Sequence, residues 1–321
     1  MWRCARVAAF VGAVVLALAP MTRAQEPAAQ SSEPPTPQPE GGQSPPVAEF
    51  IGPIGSVFLP GFGQFLQGDI VRGTVYQGVF LAGWTMSRAA LNGGRVSISD
   101  FRTFDGRTEW GVWAQQLRGT AGSISAYDAF RRALPALQKP GRYAFVRESD
   151  SIASVMRAPI HVTFLKDPLT YLPIALIAVT SFARRVAGPS AGREFASTPG
   201  HDIAFAAALA YNAGIGEEMV FRGYLMPVLQ QHLGDRAWLA NGLQALAFAA
   251  DHGEFSPSAF AAHAGYGLYA GFVVQRNRGS LRQAVFNHFV WDLIAVSGAF
   301  LTRQRDRTGA QLSLPVMTVT F

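Results

Sequence analysis

The sequence predicts an all-α protein, a multi-pass transmembrane helical bundle with an N-terminal signal peptide, a disordered linker and a polar insert. Three observations predict it. Of 321 residues, 49% are hydrophobic and only 15% are charged, against about 25% charged in an average soluble domain. The mean hydropathy is +0.15, which excludes a disordered chain. The C-terminal half holds apolar stretches of helical length, and the few ionisable residues inside them recur at i,i+4 spacing.

The charge balance excludes a nucleic-acid partner. The formal net charge is +6 and the isoelectric point about 9.8, but Arg3, Arg6 and Arg23 belong to the leader. Without them, 24 basic residues face 21 acidic ones, a net charge of about +3. No Lys/Arg stripe interleaved with aromatics occurs, as nucleic-acid binding would want. The single cysteine, Cys4, excludes an internal disulfide and a cysteine-based metal site.

Residues 1–24 have the three parts of a secretory signal peptide. A basic start (Trp2-Arg3 to Arg6) precedes an apolar run from Val7 to Leu18. Thr22-Arg23-Ala24 then places small residues at the −3 and −1 positions of a cleavage site. The run is shorter than the roughly 20 residues of a transmembrane helix. Residues 25–48 contain seven prolines and no aromatic, so they read as an extended, disordered linker.

Residues 49–87 are apolar and glycine-rich, which suits close packing of membrane helices. Asp69 and Arg72 supply a polar turn between two short helices. The string Pro60-Gly61-Phe62-Gly63-Gln64, followed by Gly68 and Gly73, resembles the Pro-Gly-x-Gly-Gln signature of small two-helix bacterial membrane modules. That likeness implies a membrane hairpin and no chemistry. Residues 88–166 form a polar insert with 18 of the chain's 48 charged residues. Within it, Ser125 to Leu137 place Tyr127, Phe130 and Leu134 on one helix face and Arg131 and Arg132 off it. Both a segment lying on the membrane surface and a solvated connector are consistent with this pattern.

The last unit covers residues 167–302. An apolar helix starts at Asp167-Pro168 and runs to about Phe182, where Arg184-Arg185 stop it. Four more helical stretches follow, at 202–233, 235–250, 258–275 and 280–302, before a tail at 303–321. Arg184, Arg185 and Arg193 fit cytoplasmic loops, as do Arg303, Arg305 and Arg307. Arg276, Arg278 and Arg282 do not follow the same threading, so orientation stays open.

A charge at the bilayer centre costs roughly 2.5–3.5 kcal/mol on insertion scales, so ionisable residues in apolar helices are functional candidates. Three clusters occur. In Gly216-Glu217-Glu218-Met219-Val220-Phe221-Arg222, Glu218 and Arg222 share a helix face and can pair, which leaves Glu217 free to accept a proton. Phe248 and His252 are i,i+4, and so are His288 and Asp292. Two histidines and a spare carboxylate from three helices can converge on one buried water. Taken singly, each cluster has an ordinary structural reading: a helix lock, a satisfied histidine or a surface contact.

Taken together, in this order, the clusters resemble the CAAX-processing and bacteriocin-processing (CPBP) intramembrane endopeptidases, also called the Abi or type II CAAX protease group. The family pattern is Glu-Glu-x-x-x-Arg, then Phe-x-x-x-His, then His-x-x-x-Asn/Asp. It is matched by EEMVFR from Glu217, FAADH from Phe248 and HFVWD from His288. The flanking strings FRGYLMPVL and GLYAGFVVQRNRGSL are also similar. The resemblance spans about 167–302 and implies a helical membrane fold with endopeptidase activity. It assigns Glu217 and His252 to water activation, His288 and Asp292 to the oxyanion, and Glu218 and Arg222 to holding the site together. Asp292 stands where many members have Asn. An ionised Asp cannot donate to an oxyanion, so orienting His288 is its alternative role.

No cofactor is expected. Zinc held by Glu217, His252 and His288, with His263 as a further ligand, is the rival, although no HExxH occurs. A non-catalytic membrane binding or immunity protein is the alternative function. The expected partners are a peptide or membrane-protein substrate and the lipid bilayer. The leader places the chain in a bacterial cytoplasmic membrane. Bacteria generally lack prenylated CAAX proteins, which favours a peptide, a bacteriocin-like leader or a membrane-protein segment as substrate.

Overall fold

The computed structural model describes residues 47–92, 106–139, 141–146, 150–175, 200–234, 236–253 and 255–301. The expected signal peptide, nearly all of the linker, the tail, and residues 176–199, which take in the end of the expected first apolar helix and the loop after it, lie outside the described residues. Among the described residues every regular element is helical, so the all-α expectation holds.

The glycine-rich stretch folds as a π turn (Val47–Ile51) and three helices, α1 (Gly52–Phe58), α2 (Phe62–Leu66) and α3 (Ile70–Ala90). Pro60-Gly61 separates the first two, with Gly61 in the left-handed region at φ 94°, where a Cβ is disfavoured. A Cβ there would also run into the carbonyl of Gly73. Asp69 caps α3 by accepting the Arg72 backbone N–H at 3.1 Å. The sequence signature acquires a structural meaning here. The Gly61 N–H donates to Ser125 Oγ (2.8 Å), and Gln64 Nε2 donates to the Ser125 carbonyl (2.9 Å) and to Asp128 Oδ2 (3.2 Å). Ser125 Oγ in turn donates to Gln64 Oε1 at 2.8 Å. The Pro-Gly-x-Gly-Gln string is thus a polar plug that seats α2 on the next long helix.

That helix, α4 (Gly106–Gln138), is 33 residues long and packs against α1, α3 and α6 (Gly200–Glu217). Tyr127, Phe130 and Leu134 are buried, as their shared face implies, while Arg131 and Arg132 stay at the edge. The stretch is a central strut of the bundle and does not lie on its surface. Gln116 and Thr120 of α4 donate to the Leu209 and Asn212 carbonyls of α6, at 3.0 and 3.3 Å. A short α5 (Ile152–Arg157) and 3₁₀ turns lead towards α6.

The single helix expected over 202–233 is three pieces. α6 passes into a π-helical segment, Glu218–Leu225, and then into α7 (Met226–His232). Pro227 offers no N–H to the Gly223 carbonyl and its ring crowds that carbonyl, so the turn before it widens. Three helices complete the fold: α8 (Ala237–Asp251), α9 (Pro257–Arg276) and α10 (Arg282–Leu301). The main core gathers Phe130, Met219, Phe221, Tyr224, Phe248 and Val285 from α4, the π segment, α8 and α10.

No described helix is long and apolar enough to cross a membrane. On this criterion the expected membrane spans are not found. The physical reason is composition: the helices that reach spanning length, such as α9 and α10, contain glycines, alanines and the polar site residues in place of leucine and isoleucine.

Candidate functional site

The three sequence clusters meet. Glu217 ends α6, Glu218 and Arg222 lie in the π segment, His252 is the C-cap residue of α8, and His288 and Asp292 lie on α10. Glu218, Arg222, His252, His288 and Asp292 are all buried, whereas the Glu217 side chain is 23% exposed. A π turn at this point fits its frequent use at functional sites.

Glu218 is the hub. Its Oε1 accepts Arg222 NH1 at 3.0 Å and lies 2.8 Å from His288 Nδ1. A carboxylate accepts, so Nδ1 carries the hydrogen, which leaves Nε2 of His288 facing Glu217 Oε2 at 3.6 Å and Asp292 Oδ2 at 3.5 Å. Arg222 is fully buried, stacks over the Phe248 ring at 4.3 Å, and donates to the Gly267 carbonyl at 3.4 Å. The pair is therefore a lock between the π segment, α8 and α9, as the i,i+4 spacing suggested.

His252 is oriented by its own helix. Its Nδ1 lies 2.8 Å from the Phe248 carbonyl, which can only accept, so the hydrogen sits on Nδ1. Nε2 then presents its lone pair towards Glu217 Oε2, 3.9 Å away. Glu217 Oε2 is itself buried and without a hydrogen-bond partner. One carboxylate oxygen thus faces the Nε2 atoms of two histidines from two other helices. This arrangement suits proton transfer to and from a small molecule such as water.

His263 of α9 stacks on His252, with ring centroids 4.0 Å apart and planes 24° apart. Tyr266, from the next turn, packs against His288 at 4.9 Å and Trp291 at 5.6 Å. Sequence reasoning missed Tyr266, and it also missed Gln244, whose Nε2 donates to the same Gly267 carbonyl at 2.9 Å. The available signal was Gly267-x-x-x-Gly271. A Cβ at 267 would lie 2.9 Å from Ala245 Cα, and one at 271 would run into Asn241 Oδ1. These two glycines let α8 and α9 touch and bring the Gly267 carbonyl within reach of Arg222.

Among the described residues, the only three His, Asp or Glu side chains with ligand atoms all within 4.8 Å of one another are Glu109, His201 and Asp202. Glu217, His252 and His288 do not form such a set.

Residues 199–294 match the family model described as type II CAAX prenyl endopeptidase Rce1-like. The match covers under a third of the chain, yet it contains all six residues read as the site. The resemblance read from the three motifs therefore stands. No curated protein and no solved structure matches the chain.

Proposed function

We propose that the protein is an intramembrane endopeptidase that hydrolyses a peptide bond of a membrane-associated protein or peptide with a glutamate-activated water. The observation that carries this reading is the convergence of Glu217 Oε2 on His252 Nε2 and His288 Nε2, at 3.9 and 3.6 Å. Water donates one hydrogen to Glu217 and the other to His252 Nε2, whose lone pair is free because Nδ1 is engaged by Phe248. The water oxygen adds to the substrate carbonyl carbon as Glu217 takes its proton. His288 acts as the imidazolium, which the facing carboxylates of Glu217, Glu218 and Asp292 favour, and donates from Nε2 to the oxyanion, which develops in a site screened from bulk water. Collapse breaks the C–N bond and the proton on Glu217 passes to the leaving amine. Asp292, 3.5 Å from His288 Nε2, orients the ring, and Glu218 with Arg222 holds His288 from behind. No step requires a metal or a cofactor.

Membrane placement is supported by the inverted packing of α3. The helix buries Gly73, Gly83 and Ser87 and turns Ile70, Val71, Val75 and Trp84 outwards. Water penalises such a face, and lipid does not.

The test uses the full-length protein in lipid nanodiscs with two fluorogenic probes, a prenylated CAAX peptide and an unprenylated membrane-anchored peptide. Cleavage of either by the wild type, with loss of at least a hundredfold in Glu217→Gln and in His252→Ala, is the expected result. Cleavage that survives both substitutions sinks the reading. Binding of peptide without cleavage by the wild type turns the site into that of a non-catalytic binding protein.

A further inference from the structure

A second cluster of ligating side chains lies far from the Glu217 site. Glu109, in the first turn of α4, and Asp202, in the first turn of α6, are both buried, while the His201 ring is 57% exposed. His201 Nδ1 is 3.1 Å from Glu109 Oε2 and 2.9 Å from Asp202 Oδ1. One ring nitrogen carries at most one hydrogen, and the hydrogen bond it makes is the one to Glu109 Oε2. Glu109 Oε1, also buried, accepts no hydrogen bond from a donor group of the described residues. The ligand atoms of all three residues lie within 4.8 Å of one another.

We propose that Glu109, His201 and Asp202 bind a divalent transition-metal ion that clamps the start of α4 to the start of α6. Three features of the cluster point to this ligand. First, two carboxylate oxygens and an imidazole nitrogen form the mixed donor set that zinc and manganese take, with water filling the remaining positions. Second, the spacing is nearly right. Metal–ligand bonds of about 2.0–2.1 Å in a tetrahedron put ligand atoms about 3.3 Å apart, and the two separations from Nδ1 are only a few tenths of an ångström shorter. Third, two buried carboxylates facing one another cannot both stay ionised without a shared proton or a cation between them, and a dication fills that place while engaging the Glu109 carboxylate. The exposed His201 edge gives the ion a way in. Asp202 and Glu217 are the two ends of one helix, about 22 Å apart at 1.5 Å per residue, so this site is separate from the proposed peptidase centre.

The experiment uses the full chain in detergent, stripped with a chelator and titrated with Zn²⁺ and with Mn²⁺. The wild type, Glu109→Gln and His201→Ala are compared by calorimetry and by thermal unfolding. His201 is exposed, so its replacement leaves the fold in place. The expected result is one ion bound per chain by the wild type, a rise in Tm with the ion, and affinity at least tenfold weaker in both variants. Co²⁺ loading adds a check, because the visible absorption of a nitrogen-ligated cobalt disappears in His201→Ala. Absence of binding to the wild type at millimolar ion overturns the proposal. So does binding whose stoichiometry and affinity are unchanged in both variants. A wild type whose two carboxylates share a proton and refuse the ion gives the first of these outcomes.

Discussion

His288 and Arg222 meet on one atom: Glu218 Oε1 lies 2.8 Å from His288 Nδ1 and 3.0 Å from Arg222 NH1. The two residues come from different clusters of the sequence, 66 positions apart. Their shared acceptor makes the position of the His288 ring depend on a structural ion pair.

Removing either half of that pair is therefore expected to be costly. Glu218→Ala leaves a buried guanidinium and Arg222→Ala a buried carboxylate, and each is expected to destabilise the fold by about 3–5 kcal/mol. Arg222→Lys does not rescue, because an ammonium cannot reach Glu218 and the Gly267 carbonyl together while lying flat on Phe248. Thermal unfolding in detergent checks both statements. Wild-type stability in Arg222→Lys would refute the second.

Glu217 predicts the opposite pattern. Its side chain is partly exposed and its Oε2 makes no hydrogen bond, so Glu217→Gln removes no hydrogen bond and only the longer charge contact to His288. Stability within about 0.5 kcal/mol of wild type, combined with loss of cleavage, separates a chemical role from a structural one. A large fall in Tm in this variant would argue for a structural carboxylate.

The glycines of α8 and α9 offer a paired test. Gly271→Ala drives a methyl into Asn241 and is expected to destabilise by about 1–3 kcal/mol, whereas a Cβ at Gly242 meets nothing within 4 Å. Gly242→Ala, in the interior of α8, is expected to stabilise by about 0.5–1 kcal/mol through helix propensity. If both substitutions behave alike, the close helix contact is not what Gly271 serves.

The plug on α4 is tested by Gln64→Ala. It deletes donations to the Ser125 carbonyl and to Asp128 and leaves the Ser125 hydroxyl without its acceptor. The expected loss is about 1–3 kcal/mol, and protease protection of residues 52–90 is expected to fall. Unchanged protection would mean that the hairpin is held by apolar contacts alone.

Chelation addresses the zinc alternative. Measured in the His201→Ala background, so that an ion at the distal cluster is not counted, cleavage is expected to persist after stripping. Stoichiometric zinc in that variant, with chelator-sensitive cleavage, would replace the glutamate mechanism.

Much of this was legible in the linear chain. Periodicity and the i,i+4 pairs identified the C-terminal helices and paired Glu218 with Arg222, because those relations are local and follow from 3.6 residues per turn. The burial of Tyr127, Phe130 and Leu134 was readable for the same reason. The placement of their helix was not, since a charged composition says nothing about which other helices it will touch. Tyr266 and Gln244 act through contacts between α9, α8 and α10, and their one local trace was the Gly267-x-x-x-Gly271 spacing.

The sequence by itself determined which residues are candidates for the site: a spare glutamate, two histidines and a paired lock, set in helices otherwise nearly free of charge. Only the tertiary structure decided their partners. It placed Glu217 against both imidazoles and Glu218 beneath His288, and it brought Glu109 from one helix start to His201 and Asp202 at another. The reason is physical. Local spacing sets which side chains share a helix face. The directions in which those faces meet depend on where glycines allow two helices to touch and where a proline widens a turn, and a sum over the whole packed chain settles both.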